Sequence, residues 1–279
     1  MAKAARRPTP GKKPRLISVA MIARNEAGNL PRAVESAKRF SDEIIVVDTG
    51  STDDTAQVAD GLGCKVHRFP WSHDFAAARN FSFSKCRCDY IFWQDPDEEV
   101  PEDDAERLRE YARQSLLLEP GQICDEFVFA TFLNGTYRPA EKDLPGYGPG
   151  FVVMKPRMVR RGRLFWQHRI HEDLYSKHSI VRHTDDRVRV FNFGDANQTD
   201  KEYYHALMYL SHKDHPAEPH YLLYLAEHAQ VAMMNPFKAM FYLEQIKPEA
   251  LALGDQVEKY WLFVGRTWKM QAVMLFDRG

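Results

Sequence analysis

Two aspartates separated by a single proline, Asp95-Pro96-Asp97, follow the apolar run Tyr90–Trp93. Carboxylate oxygens are the hard donors that Mg²⁺ or Mn²⁺ prefers, and an open pair leaves coordination positions for substrate phosphates. The stretch can also be read with no metal. Asp97, Glu98, Glu99, Glu102, Asp103 and Asp104 crowd the start of a helix expected over Asp104–Gln114, where acids favour the helix dipole. Spacing alone leaves both readings open. Two further polar clusters stand directly after apolar runs: Ala23-Arg24-Asn25-Glu26 after Leu16–Ile22, and Asp48-Thr49-Gly50-Ser51-Thr52-Asp53 after Ile44–Val47. The sequence holds neither a GxxxxGK[ST] loop nor a GxGxxG after a strand. A nucleotide bound here would need side chains and a metal to hold its phosphates.

The elements that must position these clusters follow from periodicity. Leu16–Ile22, Ile44–Val47, Lys65–Phe69 and Tyr90–Trp93 read as strands. Between them, Leu30, Ala33, Val34, Ala37 and Phe40 recur at the spacing of one helix face, with helices also expected over Asp54–Gly61 and Ala76–Cys86. Strands alternating with helices at this spacing predict βαβ units and a parallel sheet, whose ligands bind beyond the carboxyl ends of the strands. All three polar clusters fall at such ends. Further on, Phe127–Leu133, Phe151–Met154, Met158–Val159, Arg163–Trp166 and Arg187–Phe193 read as strands, some of them antiparallel, and Pro145–Gly150 as a loop able to order over a ligand as a lid. After Gln198 the pattern turns helical and aromatic, with helices around Tyr203–Leu210, Tyr221–Ala229, Ala239–Ile246 and Gln256–Leu275. Asn235-Pro236 and Lys247-Pro248 mark the breaks between them.

Composition bounds the rest. A chain of 279 residues with 44% hydrophobic and 28% charged residues is globular and long enough for a sizeable core. Thirty-eight basic residues against thirty-nine acidic give a net charge of -1, so no global field draws the protein to nucleic acid. Cys64, Cys86, Cys88 and Cys124 match no paired zinc or disulfide pattern and read as reduced cysteines. With no apolar stretch of membrane-spanning length and no signal-peptide segment, the expected location is the cytoplasm. Residues 1–15 carry six basic side chains, three prolines and no acid, and read as a flexible basic tail.

Four sequence blocks occur in a fixed order: ISVAMIARNEAGNL, DEIIVVDTGSTDDT, FPWSHDFAAARNFSFSKC followed by DYIFWQDPDEEV, and RIHEDLY. In that order they resemble the family 2 glycosyltransferases, in particular the branch whose catalytic domain precedes tetratricopeptide-like helices. The resemblance covers about Leu16 to Ala206. It implies an α/β GT-A fold, a Rossmann-like nucleotide-sugar-binding domain with a mixed sheet over residues 16–198, followed by an α-helical segment over 199–279. It also implies roles. Asp48 would bond the base of a nucleoside diphosphate sugar, usually uracil. Ala23, Arg24 and Glu26 would line the donor site, Arg24 standing where many members carry a tyrosine beside the base. Arg79, with Asn80, matches the ARN block and would lie near the base or the diphosphate. Asp95-Pro96-Asp97 matches the DxD motif, Asp95 facing ribose or metal and Asp97 ligating Mn²⁺ or Mg²⁺. Gln94 and Pro96 depart from the commoner LDAD wording and leave both acids in place.

The stretch His168–Asp173 matches the branch's RIHE motif. Inverting transfer needs a base for the acceptor proton; Glu172 is the candidate, with Asp173 the alternative, and His171 would complete the metal site or touch the diphosphate. The expected reaction is metal-dependent transfer of a hexosyl or N-acetylhexosaminyl group from a donor such as a UDP-sugar. The acceptor would be a protein or peptide first, a saccharide second, and a modified DNA base third. Two other readings compete. A nucleotidyltransferase would also use paired acids and a metal, and a helical-repeat interaction protein would carry an inactive sheet domain.

Overall fold

A computed structural model of the chain describes residues 15–133, 151–193, 201–216, 218, 220–231, 233–246, 261 and 264–271. The expected tail (apart from Arg15), the Pro145–Gly150 loop and the Lys247-Pro248 break lie outside these residues.

The first half builds as its periodicity predicts. β1 (Ile17–Ala23), β2 (Glu43–Asp48), β3 (Lys65–Arg68) and β4 (Tyr90–Trp93) alternate with α1 (Leu30–Lys38), α2 (Thr55–Gly61) and α3 (Phe75–Lys85). Pro31 sits in the first turn of α1, where its missing N–H costs nothing, and Leu30, Ala33, Val34 and Ala37 form the buried face. α3 starts at Asp74, whose carboxylate accepts from Ala77 N–H at 2.9 Å. β5 (Glu98–Glu99) leads into α4 (Glu102–Leu116), with Glu102, Asp103 and Asp104 in its first turn and Arg113 in its last. β6 (Glu126–Leu133), β7 (Phe151–Arg160), β8 (Phe165–Gln167), β9 (Asp173–Tyr175) and β10 (Arg182–Asn192) follow.

Eight strands form one mixed sheet in the order β3-β2-β1-β4-β7-β6-β10-β5. β3, β2, β1 and β4 run parallel, β7 is antiparallel to β4 and β6, and β10 runs parallel to β6. Side-chain alternation divides the apolar residues between the two faces. Ile17, Val19, Met21, Val46 and Phe92 pack with α1, α2 and α4, whereas Ala20, Ile45, Ile91 and Trp93 pack with α3 and with Leu164 and Trp166 beside and in β8. The α/β class and the mixed sheet that the resemblance implied are both present.

Three expectations change in detail. Phe151–Met154 and Met158–Val159 are one strand, because β7 pairs with β6 along its whole length; Pro156 falls at the register shift between Phe127 and Val128, where the ladder is already interrupted. The last strand begins at Arg182, five residues earlier than its apolar run, and a bulge between Asp185 and Arg189 reconciles the two halves. β8 and β9 make a separate hairpin with Trp166 opposite Leu174 and Gln167 opposite Asp173. All four cysteines are free and buried, and burial pushes their thiols up to about 11 or 12.

The chain divides into two compact units, residues 1–167 with 172–196, and residues 168–171 with 197–279. The second unit holds α5 (Lys201–Asp214), α6 (His220–Val231), α7 (Pro236–Leu243) and a helical stretch at 264–271. Asn235 does more than break a helix: its side chain caps α7 by accepting from Lys238 N–H at 2.9 Å, with Pro236 in the first turn. His205 is buried against the Tyr242 hydroxyl at 2.9 Å, and burial lowers its pKa to about 4. Among the described residues no helix is long and apolar enough to cross a membrane.

Candidate functional site

The loops after β1 and β2 are tied to each other. Asn25, at φ +58°, accepts from Thr52 N–H at 2.8 Å, while Asn25 N–H donates to Ser51 Oγ at 3.0 Å and Glu26 N–H to Thr55 Oγ1 at 2.7 Å. Asp48 is buried at the last position of β2, and its Oδ1 accepts from Ser51 N–H at 2.9 Å. Gly50, at φ +108°, supplies the left-handed turn that lets the chain fold back over that carboxylate. Ala23 is buried beneath this rim, Arg24 is exposed on it, and Glu26 is half-buried.

After β4 the chain turns tightly through Asp95-Pro96-Asp97. Glu98 N–H donates to the Asp95 carbonyl at 3.0 Å, and the Glu98 carboxylate accepts from Asp95 N–H at 3.0 Å. Beneath the turn, Arg157 on β7 grips both Glu98 oxygens at 2.8 Å; both side chains are inaccessible to solvent. Arg157 also donates to Thr131 Oγ1 and lies 3.9 Å from the centre of the Trp93 ring, whose indole N–H donates to the Pro156 carbonyl. A buried ion pair is retained only when its remaining donors and acceptors are met, as they are here.

Above the turn stands a second arginine. Arg79, on α3, is buried and donates from Nε to Glu172 Oε1 at 2.6 Å and from Nη2 to Asp95 Oδ1 at 3.0 Å. Its guanidinium lies 4.7 Å from the Trp93 ring and 5.1 Å from the Trp166 ring. Burial works against its charge, and the two carboxylates overcome that and hold it more basic than an ordinary arginine. Burial would likewise raise the pKa of Asp95; Arg79, Arg157 and Lys155 outweigh it and keep the carboxyl below its usual range.

Asp97 has no such help. Burial first, then the charges of Asp95, Glu98 and Glu26, push it up to about 7. Its Oδ2 lies 3.3 Å from Asn192 Nδ2. Asp95 and Asp97 are a pair of hard-oxygen donors, Asp95 balanced by Arg79 and Asp97 crowded by other acids, and a divalent cation would relieve that crowding. Among the described residues no set of three or more His, Cys, Asp or Glu side chains gathers into a protein-only metal cage. Asp95 and Asp97 by themselves would leave coordination positions on Mg²⁺ or Mn²⁺ for phosphate oxygens.

The RIHE stretch divides. Glu172 and Asp173 belong with the sheet unit, and Glu172 is drawn onto Arg79, while Asp173 is exposed at the start of β9. His168 and His171, at φ +74° and +50°, belong with the helical unit. There the His171 ring stacks on Tyr224 at 4.2 Å, and Arg169 pairs with Asp214 at 2.6 Å. Sequence reading put Arg79 toward the donor and did not find its two carboxylate partners. It passed over Glu98, Arg157, Trp93 and Trp166 as parts of the site, and it set Asn80 beside the base or the diphosphate, whereas the Asn80 amide bonds the Trp166 backbone. The one signal for Arg157 was a charged residue inside an apolar strand.

Comparison with known proteins bears on the sheet unit. Residues 18–161, more than half of the chain, match the profile of glycosyl transferase family 2. A TPR repeat-containing protein of Synechococcus elongatus is 44% identical over 84 residues, which is 30% of this chain and 21% of that protein. An uncharacterised glycosyltransferase of Rickettsia felis is 44% identical over 84 residues, 30% of this chain and 29% of the relative. The matched stretch thus spans less than a third of either relative's length. Among solved structures, residues 1–349 of S. aureus TarS share 14% identity at a TM-score of 0.45, covering 91% of this chain and 80% of that one. Glucosyl-3-phosphoglycerate synthase of Mycobacterium tuberculosis, in complex with Mn²⁺, UDP and glucosyl-3-phosphoglycerate, shares 21% at a TM-score of 0.36, covering 56% and 63%. The profile match takes in β1 through β7, with Asp48, Arg79, Asp95 and Asp97 inside it, and the chain belongs to glycosyl transferase family 2.

Proposed function

We propose that the protein is a metal-dependent, inverting glycosyltransferase that moves a hexosyl or N-acetylhexosaminyl group from a UDP-sugar to a hydroxyl. A protein or peptide is the first acceptor class, ahead of a saccharide and a modified DNA base, and the helical unit is its dock. One observation carries the reading: Asp95, one of the two carboxylates suited to a cation, and Glu172, borne on a different element, are joined through a single buried arginine.

Asp48 and Arg24 hold the base of the donor, with Ala23 and Glu26 lining the same rim, and Asp95 faces the ribose or the metal. Asp97 holds the cation, and His171 is the further candidate ligand to metal or diphosphate. When bound, Mn²⁺ or Mg²⁺ supplies charge neutralisation on the departing nucleoside diphosphate, an effect worth several kcal/mol. Glu172 takes the acceptor hydroxyl proton as the acceptor oxygen bonds to the anomeric carbon. The bond from that carbon to the diphosphate breaks on the opposite face, and the nucleoside diphosphate leaves. Glu172 is favoured over Asp173 because it is half-buried and oriented by Arg79, whereas Asp173 is exposed on β9.

The test is donor hydrolysis with Mn²⁺ and a panel of UDP- and GDP-sugars. Nucleoside diphosphate released from one donor and abolished by EDTA is the expected result. Pyrophosphate as product would mean nucleotidyl transfer. No release, together with no rise in melting temperature on adding Mn²⁺ and nucleotide, would overturn the enzyme reading in favour of an interaction protein.

A further inference from the structure

Asn80 follows Arg79 on α3, and its side-chain amide meets the backbone of β8 at one residue. Asn80 Nδ2 donates to the Trp166 carbonyl at 2.9 Å, and Asn80 Oδ1 accepts from Trp166 N–H at 2.9 Å. A single side chain thus satisfies both backbone groups on the outer edge of the β8–β9 hairpin, as a neighbouring strand would. Such a hairpin has little stability by itself and must be anchored. The Trp166 side chain is the other anchor, buried against Trp93, Phe83 and the Arg79 guanidinium. Glu172 directly precedes β9, whose first residue pairs with Gln167, the neighbour of Trp166. Any shift of β8 at Trp166 therefore moves Glu172.

We infer that Asn80 is a positioning residue for the Glu172 carboxylate: adjacent residues of α3 form a two-point clamp, Asn80 fixing the backbone that carries Glu172 and Arg79 fixing the carboxylate itself. This rests on Glu172 acting as the base, and one arm of the test does not. Alanine at position 80 leaves the Trp166 N–H and carbonyl without partners and frees the hairpin.

The experiment pairs steady-state kinetics with amide hydrogen exchange on Asn80→Ala. Displacing a reacting group by about 1 Å costs about 10²-fold, so kcat should fall by about that factor while the donor KM, and Mn²⁺-UDP affinity by titration, stay within about twofold. Exchange protection should be lost across residues 165–175 and kept in β1, β2 and β4. Wild-type kcat with unchanged protection would overturn the inference, and so would donor affinity falling in step with kcat, since Asn80 would then serve the donor. If the wild-type protein transfers no sugar, the catalytic reading fails by itself, and the exchange pattern alone decides whether Asn80 holds the hairpin. If Asn80→Ala does not fold, Asn80→Asp keeps the acceptor for Trp166 N–H and replaces the donor to its carbonyl by an acceptor oxygen that repels it. The same split between kcat and KM then supports the clamp, and wild-type behaviour overturns it.

Discussion

The parallel strands end in acids on both sides, and the two ends treat those acids in opposite ways. At the amino end, Glu43 opens β2. Its carboxylate accepts from Ser18 Oγ at 2.7 Å, Arg87 N–H at 2.6 Å, Lys65 Nζ at 2.5 Å and Arg15 Nη2 at 2.7 Å. Burial would raise its pKa, and these partners overcome that and hold it at about 2. At the carboxyl end, Asp97 is pushed up to about 7 by burial and by Asp95, Glu98 and Glu26. Glu98, one residue on, is gripped by Arg157. One end compensates its charge and spends it on the fold. The other leaves Asp97 among acids, at the place where the proposed cation would bind.

The largest way to sharpen this contrast is at Glu172. Glu172→Gln should slow kcat by about 10²–10⁴-fold, with the melting temperature and Mn²⁺-UDP affinity unchanged. Full activity in that variant would remove the base assignment.

The amino end should answer in stability instead. Glu43 is held at about 2 against an ordinary 4.5, so its stabilisation is complete above pH 4.5 and is lost as pH falls from 4.5 toward 2. The loss amounts to about 3 kcal/mol by linkage, read as a falling denaturation midpoint. At neutral pH, Glu43→Ala leaves the Ser18 hydroxyl and the Arg87 N–H without their acceptor. It should cost about 2–3 kcal/mol in chemical denaturation without touching donor affinity. A variant with wild-type stability would mean that the strand ends do not differ as described.

The smallest effect should have the opposite sign. Asp97 titrates at about 7 when folded and at 3.8 ordinarily, so the metal-free protein loses stability as pH rises through that window. At pH 8, Asp97→Asn should stabilise the metal-free protein, by on the order of 1 kcal/mol. It should also abolish the rise in melting temperature that Mn²⁺ with UDP gives the parent. Destabilisation at pH 8 would show that Asp97 is part of the scaffold.

Much of the frame was legible in the chain. Leu30, Ala33, Val34 and Ala37 lie on one helical face, so α1 is written locally, and the runs from Ile17 to Trp93 fall where β1 to β4 form. The acids were legible too, because their place after a strand is a matter of neighbours in sequence. Less regular was the stretch from Glu126 to Asn192. There β7 is one strand rather than two, and β9 forms because of its pairing with β8. Such pairing partners are distant in sequence, and no local pattern announces them.

By itself, then, the sequence determined the order of βαβ units, the placing of Asp48, Asp95 and Asp97 at strand ends, and the family to which the chain belongs. Periodicity and turn chemistry act over a few residues, and that was enough. Only the tertiary structure decided that Arg79 reaches Glu172 across 93 residues, that Arg157 neutralises Glu98 across 59, and that Asn80 holds Trp166 across 86. A salt bridge or an amide bond needs its two groups within about 3 Å, and chain folding, not spacing along the sequence, sets that distance.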